Sequence, residues 1–124
     1  MTTGERGKWG EHLALKFLYS LGYSLVKKNF RSRFGEIDII VKNKDFVVFV
    51  EVKVRKNSTF AHAREFVSRK KQNKMRSTAN LWLSMTSKNE SSKFSNLQPR
   101  FDVIEIYSED LSEEPQINHI IDAF

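Results

Sequence analysis

Three residues near the middle of this 124-residue chain are of types, and at spacings, that could do chemistry together: Asp38, Glu51 and Lys53. Asp38 lies in the apolar run Phe34 to Lys42, and the other two lie in the run Phe46 to Arg55. Both runs are rich in Ile, Val and Phe and read as strands. The polar link Asn43-Lys44-Asp45 is too short for anything but an antiparallel hairpin. Alternation places Glu36, Asp38 and Ile40 on one face of the first strand, and Val47, Phe49, Glu51, Lys53 and Arg55 on one face of the second. A two-residue loop sets Asp38 opposite Phe49 and diagonal to Glu51, whereas a four-residue loop sets it directly opposite Glu51. Both registers bring the carboxylates within roughly 5–8 Å on one face. A one- or three-residue loop would put them on opposite faces, so register decides.

A buried charge in a central strand is costly unless it is paired or bound to a metal. Two adjacent carboxylates repel or share a proton unless a cation lies between them. Their hard oxygens suit Mg²⁺ or Mn²⁺, and Mg²⁺ commonly takes one or two carboxylates plus water and substrate phosphate. Lys53, two residues beyond Glu51, would point to the same place as a fixed cation able to stabilise developing negative charge. Together these groups describe metal-assisted hydrolysis of a phosphodiester. The plainer reading is a Glu51–Lys53 salt bridge on one strand face, with Asp38 capping a turn or pairing with Arg. An Asp followed a dozen residues on by Glu-x-Lys arises by chance in roughly one average chain in four, so its placement in two adjacent apolar strands carries the weight.

The remaining candidates are weaker. Glu11 falls at the margin of the apolar stripe of a first helix, where an acid also simply favours the positive helix N-terminus. Glu36 follows Gly35 at a strand start, as an exposed turn acid would. Lys71 sits in a basic helix and reads as a phosphate contact. His12, His62 and His119 lack metal-ligand spacing, and no Gly-x-Ser-x-Gly or P-loop pattern occurs. The absence of Cys excludes disulfides, zinc ribbons, Fe–S clusters and thiol nucleophiles.

The elements that must hold these residues follow from periodicity. Trp9, Leu13, Phe17 and Leu21, with Ala14 and Leu18, predict a helix over about Glu5 to Leu21, closed by Gly22 with Tyr23 folding back. Tyr23 to Phe30 reads as a first strand. The strand Phe46 to Arg55 is apolar on both faces, hence central. After a link around Asn57-Ser58-Thr59, a helix runs from about Ser68 to Met85 with Met75, Ala79 and Trp82 inward. Thr86 to Pro99 reads as a loop, Arg100 to Tyr107 as a strand, Glu109 to Pro115 as an acidic turn, and Ile117 to Phe124 as an apolar end. The expected architecture is one α/β domain over residues 1–124, a mixed sheet with helices on both faces in αβββαβ order.

Charge points to a partner. The chain carries 21 Lys and Arg against 15 Asp and Glu, a net +6. Positions 1–100 hold all 21 basic residues beside eight acidic ones, a net +13, and positions 101–124 hold seven acids and no base. The densest basic run, Lys53 to Arg76, includes Arg55, Lys70, Lys71 and Lys74, a footprint suited to nucleic acid. No apolar run approaches a membrane span, and the start has no apolar segment behind its charges, so a cytoplasmic protein without a membrane partner is expected.

Gly10-Glu11, Gly35-Glu36-Ile37-Asp38 and Phe49-Val50-Glu51-Val52-Lys53-Val54-Arg55 resemble the YraN family of predicted endonucleases. That family is similar to archaeal Holliday-junction resolvases and belongs to the PD-(D/E)xK, or restriction-endonuclease-like, superfamily. Asn29-Phe30-Arg31, Val67, Lys71-Gln72, Arg100-Phe101-Asp102-Val103 and Ala123-Phe124 extend the resemblance over nearly the whole chain. It implies a three-layer α/β/α core, with Asp38 and Glu51 as metal ligands, Glu11 as a helix carboxylate leaning toward the metal, and Lys53 as the active-site lysine. Lys71 falls on the family's helix lysine. Ala61 and Val54 depart from the family's usual Gly and Thr.

The function expected from sequence is therefore a Mg²⁺- or Mn²⁺-dependent endonuclease acting on DNA, with branched or structured DNA among its substrates. Lys70, Lys71, Lys74 and Arg55 would contact nucleic acid, and the resemblance implies a homodimer. The competing expectations are a non-catalytic nucleic-acid-binding module on the same fold, and a protein-interaction domain whose acidic tail docks a basic partner.

Overall fold

The computed structural model describes residues 2–55, 67–89, 94, 96–108 and 114–124. The elements are α1 (Thr3–Ser20), β1 (Ser24–Ser32), β2 (Gly35–Lys42), β3 (Phe46–Arg55), α2 (Arg69–Asn89), β4 (Gln98–Tyr107) and β5 (Gln116–Ile120). They form one five-stranded mixed sheet in the order β1-β2-β3-β4-β5. β3 and β4 are parallel, joined through α2, and the other neighbours are antiparallel.

The ends of α1 are written in the sequence. Thr2 and Glu5 exchange hydrogen bonds as a capping box. At the other end Gly22, at φ +93, lets the Tyr23 amide donate to Leu18 and its own amide to Tyr19, a Schellman closure that lays Tyr23 against the core. Ala14, Leu15 and Leu18 then pack on Ile39, Val41, Val48, Val50, Ile104 and Ile106. On the opposite face Ala79 and Trp82 of α2 pack on Ile37, Ile40, Val47 and Phe49. Each helix thus covers one face of the sheet, which is why β3 is apolar on both sides.

Gly10 sets how closely α1 approaches. A methyl group there would run into Val54 Cγ2, with Val52 Cγ1 also within reach. Gly10→Ala should therefore destabilise the fold by about 1–3 kcal/mol by overpacking, read as a lower midpoint in urea. An unchanged midpoint would mean that helix and strand shift apart freely.

Two assignments differ from expectation. The Ser- and Thr-rich stretch expected as a loop from Thr86 is helical to Asn89, because Thr86 Oγ1 bonds back to the carbonyls of Trp82 and Leu83 and so spares the backbone. β4 also begins earlier, at Gln98. The apolar end contains a fifth strand, β5, paired from Val103↔Ile120 to Tyr107↔Gln116, so the order is αβββαββ. The link at Asn57–Thr59, the Phe60-Ala61 step and most of the acidic turn lie outside the described residues. Among the described residues no helix is long and apolar enough to cross a membrane.

Candidate functional site

The hairpin register is the one on which the site depends. Lys42 pairs with Val47, leaving four residues between, and the ladder continues to Ile39↔Val50. Asn43 organises the turn, its Oδ1 accepting from the Asp45 and Phe46 amides while its own amide donates to Phe46. Extending that register sets Asp38 opposite Glu51.

β2 leaves β3 at Asp38 and there skips one pair with β1 without changing register. Its register with β1 passes from Lys28↔Ile39 to Phe30↔Ile37 around Asn29, which has a left-handed φ of 51°. Beyond Ile39↔Val50 the Val52 amide donates to Asp38 Oδ2 at 2.9 Å, so a side chain takes the place of a strand carbonyl. Ile37 and Ile40 both lie on the α2 side, so strict alternation is lost there too.

Asp38 and Glu51 face each other in the resulting gap, close enough for the Glu51 side chain to act on Asp38. Glu51 is 3% exposed. Burial, followed by the hydrogen bond and charge of Glu51, pushes Asp38 up to about 8, against the pull of the Val52 amide. The Lys71 ammonium forms an ion pair with Glu51 Oε2. Burial acts to lower Lys71, but the hydrogen bond and charge of Glu51 outweigh it and raise it.

The sign of the Asp38 shift gives an expected result. Between its ordinary value of 3.8 and about 8 the folded protein binds more protons than the unfolded chain, so stability falls as pH rises. In EDTA the thermal midpoint should drop from pH 5 to pH 8, and Asp38→Asn should flatten that slope. A midpoint that rises over this range in the native protein would contradict the shared-proton arrangement.

The other expected residues fall into two groups. Glu11 reaches the same region from α1; burial raises it against the pull of the Asn29 side chain and the Lys28 charge, with Glu36 and Glu51 among the charges that raise it further. Yet among the described residues no three His, Cys, Asp or Glu side chains converge to hold a metal ion, so Glu11 stands beside the acid pair rather than completing a three-ligand set. Lys53 is half-buried on β3, in parallel register with Glu105. Lys70 and Lys74 are exposed and, with Lys71, Ser68, Gly35 and Glu36, line a cleft of about 360 Å³ between α2 and the β1–β2 turn. Arg55 faces Glu105 at 4.0 Å, away from that cleft's lining.

Sequence reasoning missed three features. The lysine on Glu51 is Lys71, from α2, a contact that no spacing within β3 could reveal. Asn29, seen only as part of a matching string, has a left-handed backbone beside Asp38 and lies near Glu11. Glu105 is a buried carboxylate, 4% exposed, that accepts from Asn118 Nδ2 at 2.9 Å. Alternation along β4 would have placed Glu105 inward had it been followed. α2 itself is docked by the buried Thr78, whose hydroxyl is 3.0 Å from that of Ser32.

Fold and site together define an α/β protein whose central hairpin carries an acid pair, the half-buried Asp38 and the buried Glu51, capped by a lysine from the crossover helix. The chain belongs to the uncharacterised protein family UPF0102, whose model matches residues 10–106. It is 41% identical over 124 residues to a UPF0102 protein of Clostridioides difficile, covering both chains completely. It is also 41% identical over 120 residues to one from Caldanaerobacter subterraneus, covering 95% of this chain and 93% of the relative. A UPF0102 protein of Caldicellulosiruptor bescii is 39% identical over 124 residues, again over both full lengths. The YraN-type resemblance corresponds to this membership, and the matched stretch holds Glu11, Asp38, Glu51, Lys53 and Lys71.

Proposed function

We propose that this chain is a Mg²⁺- or Mn²⁺-dependent endonuclease of the restriction-endonuclease-like class that hydrolyses DNA phosphodiester bonds, including those of branched DNA. The observation that carries this reading is the facing Asp38–Glu51 pair, half-buried and buried respectively where β2 parts from β3, with Lys71 on Glu51. The donor set fits a divalent ion: two hard carboxylates already forced together would trade a shared proton for a cation. When bound, such an ion supplies a nucleophilic water at neutral pH and charge stabilisation at phosphorus.

The chain's own groups do the rest. Asp38 and Glu51 would hold the ion, with the Glu11 carboxylate from α1 adding negative charge beside them. Lys53, on the face of β3 that carries Glu51, stabilises charge on the phosphorus oxygens. Lys70, Lys71 and Lys74 place backbone phosphates at the cleft without reading bases. Glu105, in register with Lys53, lies where it would hold that lysine's position. A homodimer would present two such sites to two strands.

The test is incubation of the purified chain with supercoiled, single-stranded and four-way-junction DNA and Mn²⁺ or Mg²⁺. Nicking that EDTA abolishes is expected. Binding with no cutting of any substrate would instead mark a non-catalytic binding module, and negligible, salt-insensitive binding a protein-interaction domain.

A further inference from the structure

Lys71 borders two different places. On one side it pairs with Glu51, which is buried; on the other it lines the cleft with Lys70 and Lys74. The Lys71 side chain is 44% exposed while that of Glu51 is 5% exposed, so the anion is fixed and the cation has room to leave. The first turn of α2 contains no acid to receive it. Lys70 and Lys74 are one helical turn apart, so the cleft's described lining sets three lysines against Glu36, an excess of positive charge that a bound anion relieves.

The geometry points to Lys71 as an exchangeable cation: it neutralises Glu51 while the acid pair holds no divalent ion, and moves to a phosphate in the adjacent cleft when one binds. The inference rests on the metal-dependent reading and deepens it. An ammonium in contact with a carboxylate oxygen and a divalent ion on the same carboxylate repel each other, so metal entry releases the lysine. The released side chain then meets the substrate phosphate in a cleft that Lys70 and Lys74 also line. Metal and DNA backbone thereby favour each other's binding, and by linkage the coupling is reciprocal.

The experiment is calorimetric titration of Mn²⁺ into the full chain without DNA, comparing the native protein with Lys71→Met, Lys71→Gln and Lys16→Met. Lys16 is exposed on α1 and controls for the lost net charge. Removing the competing cation should tighten Mn²⁺ binding about tenfold in Lys71→Met. Lys16→Met should stay within about twofold of the native protein. Lys71→Gln, which keeps a hydrogen-bond donor toward Glu51, supplies the same comparison if Lys71→Met does not fold. Native binding unchanged by either Lys71 substitution overturns the exchange and leaves the metal site standing. No Mn²⁺ heat in any of the four proteins overturns the metal-dependent reading itself, and the exchange with it.

Discussion

Glu51→Gln is expected to lower Mn²⁺-dependent nicking by about 10²–10³-fold or more, as loss of a charged group preorganised at a reacting centre does. Gln has the same shape and can still hydrogen-bond Asp38, so the thermal midpoint should change far less than the rate. What it removes is the negative charge that Lys71 now neutralises. Lys53→Met is expected to reduce the rate over a similar range for a different reason. It leaves both carboxylates in place, so Mn²⁺ affinity should survive while the rate at saturating metal falls. The two variants thus separate holding the metal from stabilising the transition state. Nicking at the native rate in both would remove this site from the reaction.

The largest expected effect on stability lies away from that site. Asp102 is fully buried in the middle of β4 and accepts four hydrogen bonds or ion-pair contacts. Arg100 reaches it through Nε at 2.9 Å and Nη2 at 2.8 Å, His119 Nε2 lies at 2.8 Å, and the Asp122 amide donates at 3.0 Å. The Arg100 guanidinium also donates to Tyr23 Oη at 2.6 Å and lies over the Phe46 ring at 4.6 Å. Asp102→Ala would leave the guanidinium, on a residue 9% exposed, without its carboxylate. Breaking a buried pair from one side costs about 3–5 kcal/mol, a large share of the roughly 5–15 kcal/mol that holds a domain folded. Loss of cooperative thermal unfolding, or a midpoint lower by about 10–20 °C, is expected. Asp102→Asn, which keeps an acceptor for Arg100, should be milder. A midpoint unmoved in Asp102→Ala would show that the network adds nothing.

The same cluster sets the acid limit. Burial alone would raise Asp102, but the hydrogen bonds from His119, Arg100 and the Asp122 amide outweigh it and hold the carboxyl below its ordinary 3.8. Its stabilisation is therefore fully present above that value and is lost as pH falls below it. Unfolding monitored from pH 5 to pH 2 should show this loss in the native protein and not in Asp102→Asn.

Much of this arrangement was legible one residue at a time. The four-residue spacing from Trp9 to Leu21, the Gly22 stop and the doubly apolar β3 identify local structure, because helix and strand periods are properties of short windows. Asp38, Glu51 and Lys53 stood out because charges are rare in such strands. Composition signals a loop over Thr86 to Asn89, while a hydroxyl can return its hydrogen bond to the helix. Gln116–Ile120 is short and polar at alternate positions and gives no strand signal of its own; as an edge strand β5 draws its stability from pairing with β4.

The amino-acid sequence by itself determined that two carboxylates and a lysine stand in adjacent apolar strands, beside a basic helix, in a chain of the UPF0102 kind. Tertiary structure alone decided that the carboxylates share one gap, since a one-residue slip in the hairpin would have sent them to opposite faces. It also decided that the cation on Glu51 is Lys71 rather than Lys53. That pairing joins residues 20 positions apart on different layers, and its physical cause is the docking of α2 over β3, which no periodicity within either element encodes.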